Sequence, residues 1–270
     1  NEIDRTSDYS NVADGTTKPV GIVFEDNFDE HDDWSPAQLN TSFGYWQGEE
    51  SIPKNYHSYR MQGSVFPLSV GNNTLAINST NARGDSGKAL TIWNETASDK
   101  GSWVSDSLLG VNLEKEHEAI YVRFFIKFAP SWQWAIGDSP LQKFFRISHW
   151  NGTDPFVMFA GGGHQPLLIH DLAKWAGGTA DISVNTNFRY THAYYPESAL
   201  PSRKREKIIY FEGGSYGGNG TDFYDTGMLG DGQWHEWKFY VKMNSAEGVA
   251  DGIYRFWQDN KLVEEVVDLA

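Results

Sequence analysis

Cysteine is absent from the 270 residues, so the chain can build no disulfide scaffold, no thiolate metal site and no cysteine nucleophile. Exported proteins often avoid thiols in oxidising surroundings, and the lack agrees with a secreted or periplasmic location. Long apolar runs are missing too. The most apolar stretch, residues 120–129, is interrupted by Arg123 and Lys127 and falls short of the about eighteen apolar residues of a membrane span. Membrane insertion is therefore not expected. Positive charge is scarce: the formal net charge is −14, against the cationic surface that nonspecific nucleic-acid binding needs. No nucleic-acid partner and no organic cofactor are expected. Helical periodicity of useful length is also lacking, which leaves strands as the main building material.

What the chain has in quantity is aromatic rings, with 11 Trp, 13 Tyr and 16 Phe making up 15% of residues. Such residues favour strands and flat binding surfaces. Residues 1–20 are polar and read as a flexible leader at a mature or trimmed terminus, and residues 21–270 as one domain and a monomer. Two-residue alternation between turn signals predicts strands over 119–128, 141–150, 156–160, 182–195, 207–212, 233–243 and 252–267. In the first of these, Val122, Phe124 and Ile126 fall on one face, predicted to be buried, and Arg123, Phe125 and Lys127 on the other. Asp259-Asn260 marks a hairpin turn. Strands this numerous predict an all-β fold, an antiparallel β-sandwich or jelly roll.

Three stretches carry a family likeness: Gly232-Gln-Trp-His-Glu-Trp-Lys-Phe-Tyr-Val-Lys-Met-Asn244, Ala250-Asp-Gly-Ile-Tyr-Arg-Phe-Trp-Gln-Asp-Asn-Lys-Leu-Val263 and Leu141-Gln-Lys-Phe-Phe-Arg-Ile-Ser-His-Trp150. With Phe24 to Phe28 and Tyr121 to Phe128, the chain resembles concanavalin-like jelly-roll polysaccharide lyases of the glucuronan-lyase and alginate-lyase type. Where alginate lyases carry Gln-Ile-His on a central strand, this chain has Arg146-Ile-Ser148 followed by His149, and Tyr210-Phe-Glu-Gly-Gly214 stands where they carry Tyr-Phe-Lys-Ala-Gly. The resemblance implies a uronic-acid polysaccharide such as alginate or glucuronan as substrate, cleaved by β-elimination.

That chemistry needs the substrate carboxylate neutralised, the weakly acidic neighbouring proton removed, and the leaving oxygen protonated. Gln142 and Arg146, on one face of a regular strand, are the candidates for the carboxylate, and His149 for the base. A β-bulge near Ser148 would bring His149 onto their side. Tyr190, His192 and Tyr194 share one face of the next long strand and are candidates for proton transfer and sugar contact. Arg123 and Lys127, within the basic middle third, and Trp257 are candidates for binding the polymer, with Trp132, Trp134 and Trp175 as further stacking rings. Each also has a plain reading, as a surface ion pair or a packed ring. His164 and His170 lie in or beside a glycine-rich loop without a zinc-motif spacing. A structural calcium ion could use Glu25, Asp26 and Asp29 with Asp268, all hard oxygen donors. Two other functions stay open: a noncatalytic carbohydrate-binding or lectin-like module, and a glycoside hydrolase, for which no Glu-x-Asp-x-x-Glu strand is present.

Overall fold

A computed structural model describes residues 21–36, 44–47, 52–61, 75–93, 107–130, 132, 141–149, 167–176, 182–191, 208–209, 229–246 and 249–269. These form thirteen strands and a single turn of 3-10 helix, with no α-helix among the described residues. The described residues are all-β, as the alternation and the aromatic content predict. The strands are β1 (Gly44–Gln47), β2 (Ser58–Met61), β3 (Leu75–Asn78), β4 (Ala89–Ile92), β5 (Leu108–Gly110), β6 (Ala119–Lys127), β7 (Leu141–Ser148), β8 (Leu167–Ala176), β9 (Ile182–Thr191), β10 (Ile208–Ile209), β11 (Trp234–Lys242), β12 (Gly252–Gln258) and β13 (Lys261–Leu269).

They pair antiparallel in two four-stranded sheets, β10-β9-β8-β7 and β13-β12-β11-β6, beside a three-stranded sheet β1-β2-β5 and the ribbon β3-β4. The β12–β13 hairpin turns at Asp259 and Asn260, with φ of 46° and 67°. Two successive positive φ values belong to the tight turn whose twist matches paired strands, and Asp and Asn tolerate them better than most residues. Gly232 enters β11 at φ 73°, with its amide donating to the Phe128 carbonyl at 3.2 Å.

Burial alternates along β12, and in β11 Trp237 and Phe239 share the inward face. Trp237, Phe239, Tyr254 and Phe256 are at most 1% exposed and form a continuous aromatic layer on one face. Phe239 stacks on Phe256 at 4.8 Å and Trp237 meets Phe256 edge-on at 5.5 Å. From β6, Phe124 joins at 5.8 Å from Phe239. Val122, Phe124 and Ile126 are half-buried rather than buried, because β6 is the edge strand of this sheet. The other four-stranded sheet reaches the same layer through Phe145 of β7, whose ring stacks on Phe239 at 5.0 Å and lies 5.7 Å from Phe124. A smaller apolar cluster, Tyr59 and Leu75 with Trp34, Ile52, Leu90 and Leu109, ties the N-terminal strands together.

Strand β8 departs from the expected layout. Alternation predicts nothing over 167–176, yet Leu167–Ala176 is an interior strand of its sheet, between β7 and β9. The predicted strand at 156–160 lies outside the described residues.

Candidate functional site

Register decides which side chains share a face. Across β7, β8 and β9 the rows run Arg146–Ile169–Arg189, Ser148–Leu167–Thr191 and Ile147–Leu168–Tyr190. Phe145 packs into the aromatic layer, and successive strand residues alternate, so Arg146 stands on the face turned away from that layer. Arg189 falls in the same row. The same face of β9 carries Ser183, Asn185, Asn187, Arg189 and Thr191 by register, an unbroken polar stripe. Arg189 and Asn187 were not among the expected site residues, although this stripe is visible in the sequence as alternate positions.

A bulge corrects the expected pairing of Gln142 with Arg146. The register steps from Lys143↔Asp171 to Phe145↔His170, so one extra residue is inserted in β7. Gln142 pairs with Leu172, on the parity of Phe145, and Arg146 falls on the opposite one. The bulge lies at Lys143 to Phe145 and not near Ser148. Tyr190 takes the row of Ile147, also off the Arg146 face. His192 and Tyr194 lie outside the described residues, as do His164 and Trp134. His170 is a strand residue of β8 opposite Phe145. Trp175 is in β8 opposite Ser183.

His149 follows β7 directly. Its Nδ1 is 3.0 Å from Glu116 Oε1, a residue of the segment between β5 and β6. A carboxylate on one ring nitrogen fixes the proton there and leaves Nε2 as the basic nitrogen of the neutral ring. The His149 ring is partly open to solvent, its side chain 37% exposed. Glu116 has no sequence signal linking it to His149.

Arg123, Lys127 and Trp257 come together elsewhere. Arg123 neighbours Phe124, which points into the aromatic layer, so Arg123 stands on the far side of that layer from Arg146. There the Arg123 Nε and Lys238 Nζ both bind Glu236, the latter at 2.6 Å. Burial alone would raise the Glu236 pKa, but these two cations outweigh it and hold the carboxyl below its ordinary value. Lys127 lies 5.1 Å over the Trp234 ring, and Trp257 is 6.4 Å from Tyr121. Trp132 packs edge-on against Phe128 at 5.1 Å.

The acidic segment 25–29 is a hydrogen-bonded turn. Asp26 accepts from the Phe28 amide at 2.7 Å and faces His31 Nε2 at 2.6 Å. Burial, and then this carboxylate, push the neighbouring Tyr56 phenol well above its ordinary range. Asp29 accepts from the Lys88 amide at 2.8 Å and from Asn27 Nδ2 at 2.9 Å. A Cβ at Gly87, where φ is +94°, would come 2.3 Å from Asp29 Oδ1, so only glycine fits there. Glu25 is exposed, and Asp268 is a β13 residue. The oxygen donors suit a hard cation chemically, but those of Asp26 and Asp29 are already engaged. Among the described residues no three His, Asp or Glu side chains are grouped to hold a metal ion.

No helix among the described residues is long and apolar enough to cross a membrane. Compared with family models, with curated proteins and with solved structures, the chain matches none.

Proposed function

We propose that the chain is a secreted or periplasmic polysaccharide lyase that cleaves a uronic-acid polysaccharide by β-elimination on the Arg146 face of β7, β8 and β9. Its architecture in this reading is an antiparallel sandwich of the concanavalin-like jelly-roll kind, with Phe145 and Phe239 where the two sheets meet. The observation that carries the reading is the row Arg146–Ile169–Arg189 beside the polar stripe of β9, with the His149–Glu116 pair at the Ser148 end of the same strand. Two arginines and Asn187 on one face supply what a substrate carboxylate needs as charge develops on it. His149, oriented by Glu116, supplies a base through Nε2. His192 and Tyr194, which follow β9 in sequence, are the candidates for returning a proton to the leaving oxygen.

The test is ultraviolet absorbance of purified protein with alginate, glucuronan, ulvan and glycosaminoglycans, since elimination leaves an unsaturated uronate and hydrolysis does not. Arg146→Ala should then lower kcat about a hundredfold to a thousandfold while leaving Tm near that of the parent. Absorbance with none of these polymers removes the lyase reading. A second reading, a noncatalytic carbohydrate-binding module, is favoured by the aromatic and cationic face around Tyr121 and Trp257, which needs no base.

A structural calcium ion belongs to the same proposal. To bind one, Asp26 and Asp29 would exchange the His31 and Lys88 donors for the ion, with Glu25 and Asp268 completing the oxygen set. Calcium added after chelation should raise Tm, because an ion that binds only the folded chain stabilises it. An unchanged Tm removes the ion from the proposal.

A further inference from the structure

The far face of β6, β11 and β12 has a composition that neither folding nor the Arg146 site explains. Its rows, read across the three strands, are Arg123–Lys238–Trp257, Tyr121–Tyr240–Arg255 and Ala119–Lys242–Ile253. On the outward positions of these strands stand Arg123, Lys127, Lys238, Lys242 and Arg255; facing them are Glu236, Glu265 of β13 on Arg255 at 2.5 Å, and Asp251 beside Lys242. This local cationic excess sits on a chain whose net charge is −14. Rings are interleaved with the charges. Tyr121 is 55% exposed and inclined at 58° to Trp257, and the edge of the patch is closed where the Arg83 guanidinium lies 3.4 Å over Phe125.

We infer that this face is a second, noncatalytic binding surface for an extended anionic polysaccharide, with Tyr121 and Trp257 carrying the sugar rings and Arg123, Lys127 and Lys242 carrying the carboxylates. The inference rests on the proposed polyuronate ligand and adds a surface on the opposite side of the aromatic layer from Arg146. Exposed rings cost solubility when they face water alone, and they stack well on the apolar faces of pyranose rings. Arginine and lysine beside them select an anionic polymer over a neutral one, because the local potential and not the net charge meets the ligand. Glu236 holds Arg123 and Lys238 in place while cancelling only one of their two charges.

The experiment is native electrophoresis of the full chain through gels containing polyglucuronate, alginate or, as the neutral control, dextran. The parent should be retarded by the polyuronates and not by dextran, and added salt should weaken the effect by screening. Tyr121→Ala/Trp257→Ala should lower the apparent affinity about tenfold or more. Should Trp257→Ala disturb folding, judged by Tm, Tyr121→Ala alone and Lys127→Gln/Lys242→Gln serve instead, each with a severalfold loss. Lys54→Gln, at an exposed lysine before β2 and outside both surfaces, should keep the parent's retardation. Parent-like retardation of the Tyr121 and lysine variants overturns the inference, and so does a parent that is not retarded. The absorbance assay judges the lyase reading separately: retardation without unsaturated product keeps this surface and discards the enzyme.

Discussion

His235 is held from both sides. Its Nδ1 lies 2.7 Å from Asp259 Oδ2 in the β12–β13 turn, and its Nε2 lies 3.0 Å from Asp231 Oδ2 in the turn before β11. Two acceptors call for a ring that donates from both nitrogens, which is the imidazolium. Burial by itself lowers the His235 pKa, but the hydrogen bonds and charges of Asp259 and Asp231 outweigh it and the value stands above the ordinary one. A folded pKa above the unfolded value adds stability that is complete below about pH 6.5 and disappears as pH rises through the folded value. Tm should therefore fall with rising pH across that window. In His235→Gln this component should vanish, with Tm at pH 6 lower by about 2–4 °C for a pair contributing about 1 kcal/mol. A variant with the parent's full pH slope would show that the clamp contributes nothing.

At the level of strands, Phe239 is the ring on which both four-stranded sheets depend, since it touches Phe145, Phe124 and Phe256 and is fully buried. Phe239→Ala should cost about 3–5 kcal/mol in urea unfolding, as such truncations do in close-packed cores. A loss below about 1 kcal/mol would mean that the sheets do not rely on this contact. The strands around it were legible because two-residue alternation is strong in β6, β7, β11 and β12, and the Asp259-Asn260 turn has its own signature. Strand β8 was not. Its Leu167-Leu-Ile169 start is apolar on both parities, as an interior strand between two neighbours permits, and the glycines before it read as loop. Alternation also assumes an unbroken period, so the extra residue in β7 moved Gln142 to the wrong face of the expected site. Arg146 and His149 were readable as residue types, whereas Arg189 and Glu116 join them through cross-strand register and loop placement, which no local pattern encodes.

On the scale of the whole chain, an acidic molecule carries two places where cations gather, and they lie on opposite sides of one aromatic layer. The sheet that bears the outer one is assembled from distant parts: Arg123 and its partner Glu236 are separated by 113 positions. Strands β11, β12 and β13 follow one another through connections of nine and two residues, but β6 must wait for them to complete the sheet. At a synthesis rate of about 5–20 residues per second, the 113 positions take roughly 6–23 s to appear. For that interval β6, with Phe124, lacks the β11 backbone that pairs with it in the folded protein. The longer that wait, the longer β6 is open to pairing with a strand of another chain instead of β11.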